Sequence, residues 1–211
     1  IYIASPNNPT GTAKTLLEIK DFLNNLPDDI LVFLDQAYYE YIEGSEFDIP
    51  FSLIDDHPNL VISRSFSKAH GLAALRLGFC VSNPELSDYL NRVRQPFNAN
   101  SLALDLGKVA LSDQEHISKS VKINSSGMDR VKKAFTNLDY DFIESWGNFI
   151  SFDAKQDSDV AFQYFLEKGV ILRSLKVYEM PQHLRVSIGT EEEMDFFLQV
   201  LEDYEKDLSK K

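Results

Sequence analysis

Arg64-Ser65-Phe66-Ser67-Lys68-Ala69-His70-Gly71-Leu72-Ala73-Ala74-Leu75-Arg76-Leu77-Gly78 follows the apolar run Leu60-Val61-Ile62 and sets one lysine between two serines and an arginine. Leu60 to Ile62 reads as a short buried strand, so the polar segment falls at a strand's carboxyl end, where open α/β sheets collect their ligands. Two hydroxyls, an amine and a guanidinium suit a phosphate-bearing ligand. A lysine after a strand is equally an ordinary solvated loop residue, so the neighbouring segments must decide.

Upstream the pattern alternates strand and helix. Ile1-Tyr2-Ile3-Ala4 is an apolar, strand-like run, and the prolines and glycine of Ser5-Pro-Asn-Asn-Pro-Thr-Gly11 fix a loop that continues neither helix nor strand. Leu16, Ile19, Leu23 and Leu26 recur at helical spacing and stop before Pro27. Leu31 to Leu34 is a continuous apolar run, as expected of a parallel strand buried on both faces. Asp35 ends it, and Tyr38 follows closely enough for the two to share a crevice; an aspartate at a strand end also caps turns.

Downstream, Arg76 to Val81 reads as a returning strand and Glu85 to Arg94 as a helix with Leu86, Leu90 and Val93 on one face and Pro84 near its start. After the break at Gln95-Pro-Phe-Asn-Ala-Asn100, a second helix carries Leu102, Leu106 and Val109. A long third helix runs from about Gln114 to Leu138 with a core stripe of Ile117, Val121, Met128, Val131, Phe135 and Leu138; Asn124 and Gly127 interrupt it and predict a bend. The organisation changes near Tyr140. Phe142-Ile143, Phe149 to Phe152, Val170 to Leu172 and Leu184 to Ile188 are short strands, with a helix from Ser158 to Lys168 that Gly169 terminates. Thr190 and Glu193 form a capping box for a last helix with Met194, Phe197, Leu201 and Tyr204 on one face. The expected architecture is α/β: a mostly parallel sheet with flanking helices over residues 1–138, then a small α+β domain over 139–211.

Composition narrows the function. With 44% hydrophobic residues among 211, the chain can bury a real core. A net charge of -12 argues against nucleic acid, which needs clustered lysine and arginine. No window approaches the ~18 apolar residues of a membrane span, so no membrane partner is expected. The single cysteine, Cys80, suits a reducing cytoplasm. His57, His70, His116 and His183 show no metal-ligand spacing. Because residue 1 is Ile and already strand-like, the chain is expected to be the carboxyl part of a longer protein.

Asn8 in a Pro/Gly loop, Asp35 with Tyr38, Ser65-x-Ser67-Lys68 with Arg76, and Arg185 far downstream form an ordered set. This set resembles the fold-type I, pyridoxal-phosphate-dependent aminotransferases, and the wording of the motifs is closest to the histidinol-phosphate aminotransferases. The resemblance covers essentially all of the chain, from Ser5-Pro-Asn-Asn-Pro-Thr-Gly11 to Leu184-Arg-Val-Ser-Ile-Gly-Thr190. It implies that Lys68 forms the covalent link to pyridoxal 5′-phosphate and moves the substrate's Cα proton, tasks that suit an amine with a readily shifted pKa. Asp35 would pair with the ring nitrogen and keep it protonated. Tyr38 and Asn8 would donate to the ring's phenolic oxygen, and Ser65, Ser67 and Arg76 would hold the phosphate.

On the substrate side, the resemblance gives Arg185 to the α-carboxylate of glutamate or 2-oxoglutarate and Arg173 to the phosphate of histidinol phosphate. Relatives often read Val-Arg-Pro where this chain reads Leu172-Arg-Ser174. Both arginines are also candidates for surface ion pairs in so acidic a chain. In relatives the loop carrying Asn98 and Asn100 approaches the dimer interface, which makes these two outlying candidates only; the resemblance also implies a homodimer, histidine biosynthesis and a cytoplasmic location. Relatives also carry, ahead of the part matched here, an N-terminal arm, the rest of the large sheet, the completion of the phosphate cup and an aromatic residue that stacks on the ring. Aromatic-amino-acid aminotransferases and threonine-phosphate decarboxylases of the same fold share these motifs. A non-catalytic fragment retaining them is the reading from a different class.

Overall fold

A computed structural model of the chain describes residues 1–42 and 44–210. The described residues fall into two compact units, Ile1–Asn7 with Ala13–Ser120, and Asn8–Thr12 with Val121 onward. The division falls inside a long helix, earlier in the chain than the expected boundary after Leu138; the last residue of the expected second domain, Lys211, lies outside the described residues.

In the first unit, β1 (Tyr2–Ala4) leads to α1 (Leu16–Asn24), whose Thr15 and Glu18 make a capping box. There follow β2 (Val32–Asp35), a single turn α2 (Leu53–Asp56), β3 (Leu60–Ser65), β4 (Gly78–Val81), α3 (Pro84–Val93) and α4 (Ser101–Ser112). The sheet order is β1-β2-β3-β4, with β1, β2 and β3 parallel and β4 antiparallel to β3. The expected mostly parallel sheet is therefore present. Val32, Leu34, Leu60 and Ile62 form its core with Ile19 and Leu23 of α1. Only alternate residues of β2 are fully buried, Phe33 remaining half-buried, so the strand is less enclosed than its apolar run predicts.

Two expectations in this unit are corrected. The returning strand begins at Gly78 rather than Arg76, because Arg76 takes a left-handed backbone (φ 52°) that cannot join a ladder. In α4, Leu102, Leu106 and Val109 are exposed, and the buried residues are Ala103 and Gly107. A Cβ at Gly107 would lie 2.5 Å from Leu77 Cδ2, so the helix packs closely through its small residues onto Leu77 and Phe66. The N-terminus of α4 is capped by Asn100, whose Oδ1 accepts from Ala103 N at 2.8 Å, and Asn98 Oδ1 accepts from Arg94 at 3.0 Å.

Helix α5 (Gln114–Asn137) is continuous through Asn124 and Gly127, both buried. Asn124 Nδ2 donates to the Gly147 carbonyl at 3.2 Å, and a Cβ at Gly127 would meet Ile188 Cγ2 at 2.5 Å. The two positions that interrupt the apolar stripe are thus close-packing points. The second unit continues with β5 (Phe142–Ile143), β6 (Phe149–Asp153), α6 (Ser158–Glu167), β7 (Arg173–Ser174), β8 (His183–Ser187) and α7 (Glu191–Leu208). Its antiparallel sheet has the order β5-β6-β8-β7.

The expected strand Val170 to Leu172 is displaced to Arg173–Ser174. Val170 N is used in closing the end of α6 on the Phe165 carbonyl at 2.9 Å, with Gly169 left-handed at φ 88°. Met128, Val131, Phe135, Phe152, Phe165, Phe197, Leu201 and Tyr204 fill one core between the sheet and its helices. The Thr190–Glu193 capping box is formed, and the apolar face expected for α7 is buried.

Candidate active site

The carboxyl ends of β2 and β3 set the first group of candidate residues side by side, because the parallel register pairs Asp35 with Ser63. Asp35 is half-buried and its carboxylate is held from several directions. Oδ1 accepts from Ala37 N at 3.0 Å and from Ser63 Oγ at 3.3 Å, while Oδ2 accepts from the Tyr2 hydroxyl. Three donors fix the position of the carboxylate. Neither Tyr2 nor Ser63 stands in a motif; the signal available was spacing, since Tyr2 and Ala4 share a face of β1 and Ala4 pairs with Asp35. Burial, and the Asp35 carboxylate to which it donates, push the Tyr2 hydroxyl up to about 12.

Beyond β3 the backbone turns sharply. Ser65 Oγ accepts from Ser67 N at 3.0 Å, Gly71 N donates to the Lys68 carbonyl at 2.9 Å, and Leu72 N donates to the Phe66 carbonyl at 2.9 Å. Gly71 takes φ 72°, which a residue with Cβ adopts only under strain. This turn presents Lys68, whose Nζ lies 5.0 Å from the centroid of the Tyr38 ring, within the range of a cation–π contact. Arg76 reaches back, with Nη1 donating to the Ala73 carbonyl at 2.9 Å and 3.5 Å from Ser67 Oγ. At Gly78 a Cβ would lie 2.9 Å from the Arg64 carbonyl, so glycine lets β4 approach β3 beside this loop.

A buried polar layer lies behind the turn. Arg64 Nε donates to Gln36 Oε1 at 3.0 Å, and its guanidinium sits over the Tyr39 ring. Desolvation lowers the Arg64 pKa and raises that of Glu40, which faces His70 at 3.6 Å. His70 in turn touches Phe66, ring centroids 5.0 Å apart. None of these contacts is readable from residue spacing.

The second unit holds the remaining candidates. Asn8 belongs to it through the loop Asn8–Thr12, which is tied down by Ser151 Oγ donating to the Pro9 carbonyl at 2.7 Å and Trp146 N donating to the Gly11 carbonyl at 2.9 Å. Gly11, at φ 79°, has no room for a Cβ against Ser145. Arg185 on β8 donates through Nη1 to Asn8 Oδ1, and its guanidinium carbon lies 4.8 Å from the Phe149 ring centroid. Its Nε is buried without a hydrogen-bond partner among the described residues. Arg173 pairs in register with Arg185 across β7 and β8 but is exposed, beside a hollow that includes Asp159, Phe162 and Lys176.

The donor set suits pyridoxal 5′-phosphate on chemical grounds. It offers an amine for the aldehyde, an anchored carboxylate for the ring nitrogen, and two hydroxyls with a guanidinium for the phosphate. In the second unit, the buried Nε of Arg185, unpaired among the described residues, suits an anionic group.

Over 202 residues the chain is 48% identical to histidinol-phosphate aminotransferase 1 of Nitrosococcus oceani, covering 96% of this chain and 55% of that protein. The chain thus spans about half the length of the curated relatives it matches. The crystal structure of histidinol-phosphate aminotransferase from Sinorhizobium meliloti in complex with pyridoxal-5′-phosphate superposes with a TM-score of 0.89 at 26% identity, covering 98% of this chain and 57% of that one. L-threonine-O-3-phosphate decarboxylase from Porphyromonas gingivalis shares the fold, with a TM-score of 0.83 at 23% identity over 96% of this chain and 63% of that one. The sequence pattern of aminotransferase class I and II extends over residues 1–201, and the chain belongs to that family.

Proposed function

We propose that this chain carries the lysine-bearing part of a transaminase that moves the amino group of L-histidinol phosphate to 2-oxoglutarate. The observation that carries the reading is the joint placement of Lys68 against Tyr38 and of a triply anchored Asp35 at neighbouring strand ends. The relatives' name supports histidinol phosphate as one substrate, and 2-oxoglutarate is what the family resemblance implies.

When bound, pyridoxal 5′-phosphate supplies an aldehyde that links amines and a protonated ring that acts as an electron sink. Lys68 Nζ would hold it and would serve as the base that takes the proton from the substrate Cα. Asp35 keeps a fixed negative charge for the ring nitrogen, so no reorganisation is needed when charge develops. On the family resemblance, Tyr38 and Asn8 are each assigned to the phenolic oxygen. Ser65, Ser67 and Arg76 hold the phosphate, the left-handed backbone at Arg76 turning its side chain back over the loop. Arg185 holds the α-carboxylate of the amino-acid partner, and Arg173 is assigned to the substrate phosphate. Two half-reactions sharing one site imply ping-pong kinetics.

We extend the proposal to a cytoplasmic homodimer. No helix among the described residues is long and apolar enough to cross a membrane. Val93, Phe97, Leu102 and Val109, on and between α3 and α4, are exposed apolar residues of the kind a second subunit covers.

A second reading, decarboxylation of threonine phosphate, is favoured by the shared fold with the Porphyromonas gingivalis decarboxylase. The test is to incubate the full natural protein with pyridoxal 5′-phosphate, L-histidinol phosphate and 2-oxoglutarate and to follow glutamate. Glutamate formation is expected. Its absence, with carbon dioxide released from phosphothreonine, would favour the second reading, and absence of both would favour a non-catalytic fragment.

A further inference from the structure

We infer that Tyr2 is a positioning residue for Asp35: its hydroxyl fixes the carboxylate that is to face the cofactor's ring nitrogen. The inference rests on the cofactor-facing role proposed for Asp35 and adds to it a residue outside the motifs.

The geometry follows from the register. Tyr2 pairs with Phe33 and Ala4 with Asp35, so all four side chains stand on one face of the parallel pair. A diagonal neighbour on such a face lies about 7–8 Å away, within reach of an aromatic side chain. The Tyr2 ring is held flat on Phe33, centroids 5.3 Å apart and planes 9° from parallel, which aims the hydroxyl at Asp35 Oδ2. The Ala37 and Ser63 donors occupy the other oxygen, Oδ1. Tyr2 is therefore the donor described on the Oδ2 side, where it restricts rotation of the carboxylate.

Burial, and with it the neighbouring carboxylate, keeps the phenol protonated, its pKa raised to about 12, so Tyr2 remains a donor across the physiological range. The chemistry needs this arrangement because a charge stabilises a developing counter-charge best when its orientation is set in advance. Tyr2→Phe keeps the ring and its stacking on Phe33 and removes only the hydroxyl.

The experiment is a double-mutant cycle on the dissociation constant for pyridoxal 5′-phosphate, using the full natural protein with Tyr2→Phe, Asp35→Asn and the pair, alongside the spectrophotometric titration of tyrosine. Tyr2→Phe is expected to weaken cofactor binding about three- to tenfold when Asp35 is present and less than about twofold when it is Asn. The wild-type minus Tyr2→Phe titration is expected to show one tyrosine ionising near 12, and ionising at lower pH in Asp35→Asn, where the carboxylate's share of the rise is lost while burial keeps its own. Equal weakening in both backgrounds, or no weakening, would overturn the inference. If no cofactor binds in a Lys68-dependent way, the proposed function fails; the inference fails with it if the difference titration also shows Tyr2 ionising near 10.

Discussion

The two units differ in how packing and the candidate residues are distributed. The second builds a continuous aromatic core, in which Phe135 and Phe152 lie 4.6 Å apart and Phe165 and Tyr204 5.0 Å apart by ring centroid. Tyr204 also donates to the Ala154 carbonyl at 2.8 Å. The first unit holds smaller clusters, one under α1 and β2 and another where Phe66 and Leu77 meet Ala103 of α4, and exposes the large apolar residues of α3 and α4. Yet the first unit carries Asp35, Tyr38, Ser65, Ser67, Lys68 and Arg76. Functional side chains at strand ends and in tight turns are held by hydrogen bonds and close backbone approach rather than by bulk. Changes at the first unit's strand ends should therefore register in chemistry, and changes in the second unit's aromatic core, away from Asn8, Arg173 and Arg185, in stability.

The largest effect belongs to the first unit. Asp35→Ala in the full natural protein should lower turnover by orders of magnitude while the Lys68-dependent cofactor absorbance persists, since what is lost is a charge stabilising the transition state. Near-normal turnover would remove Asp35 from the mechanism and break the division. Next comes the second core: Phe197→Ala should destabilise the fold by about 3–5 kcal/mol in urea unfolding, the cost of emptying a packed aromatic site. Thr190→Ala, which removes one half of the α7 capping box, should cost about 1 kcal/mol in the same assay. The smallest effect is expected at Val109, 64% exposed on α4. Val109→Ser should change monomer stability by no more than about 0.5 kcal/mol and weaken self-association if this face meets a second copy. A large loss of monomer stability there would show that the first unit relies on more core than its clusters supply.

Periodicity and punctuation reached the strand and helix order, the parallel sheet and the α7 face, because those features depend on local pattern. They failed where small residues decide the packing. The stripe Leu102, Leu106 and Val109 follows the largest apolar side chains of α4, yet Ala103 and Gly107 face inward because only they allow the helix to approach Leu77. Asn124 and Gly127 read as a weak point for the same reason and prove to be contact points. In the site, motif order singled out Lys68, Asp35 and Arg76, but the groups that hold Asp35 come from strand register. Ser63 is opposite on β3 and Tyr2 diagonal on β1, a relation that exists only once the strands are paired. The Glu40–His70 contact likewise spans a turn whose path no spacing encodes.

The central claim is that Lys68 is the amine that takes the cofactor. Its most direct test is the visible absorbance of the full natural protein mixed with pyridoxal 5′-phosphate and measured beside Lys68→Ala. A protein-dependent band present in the wild type and lost in Lys68→Ala is predicted; no band in either, or an equal band in both, would contradict the account.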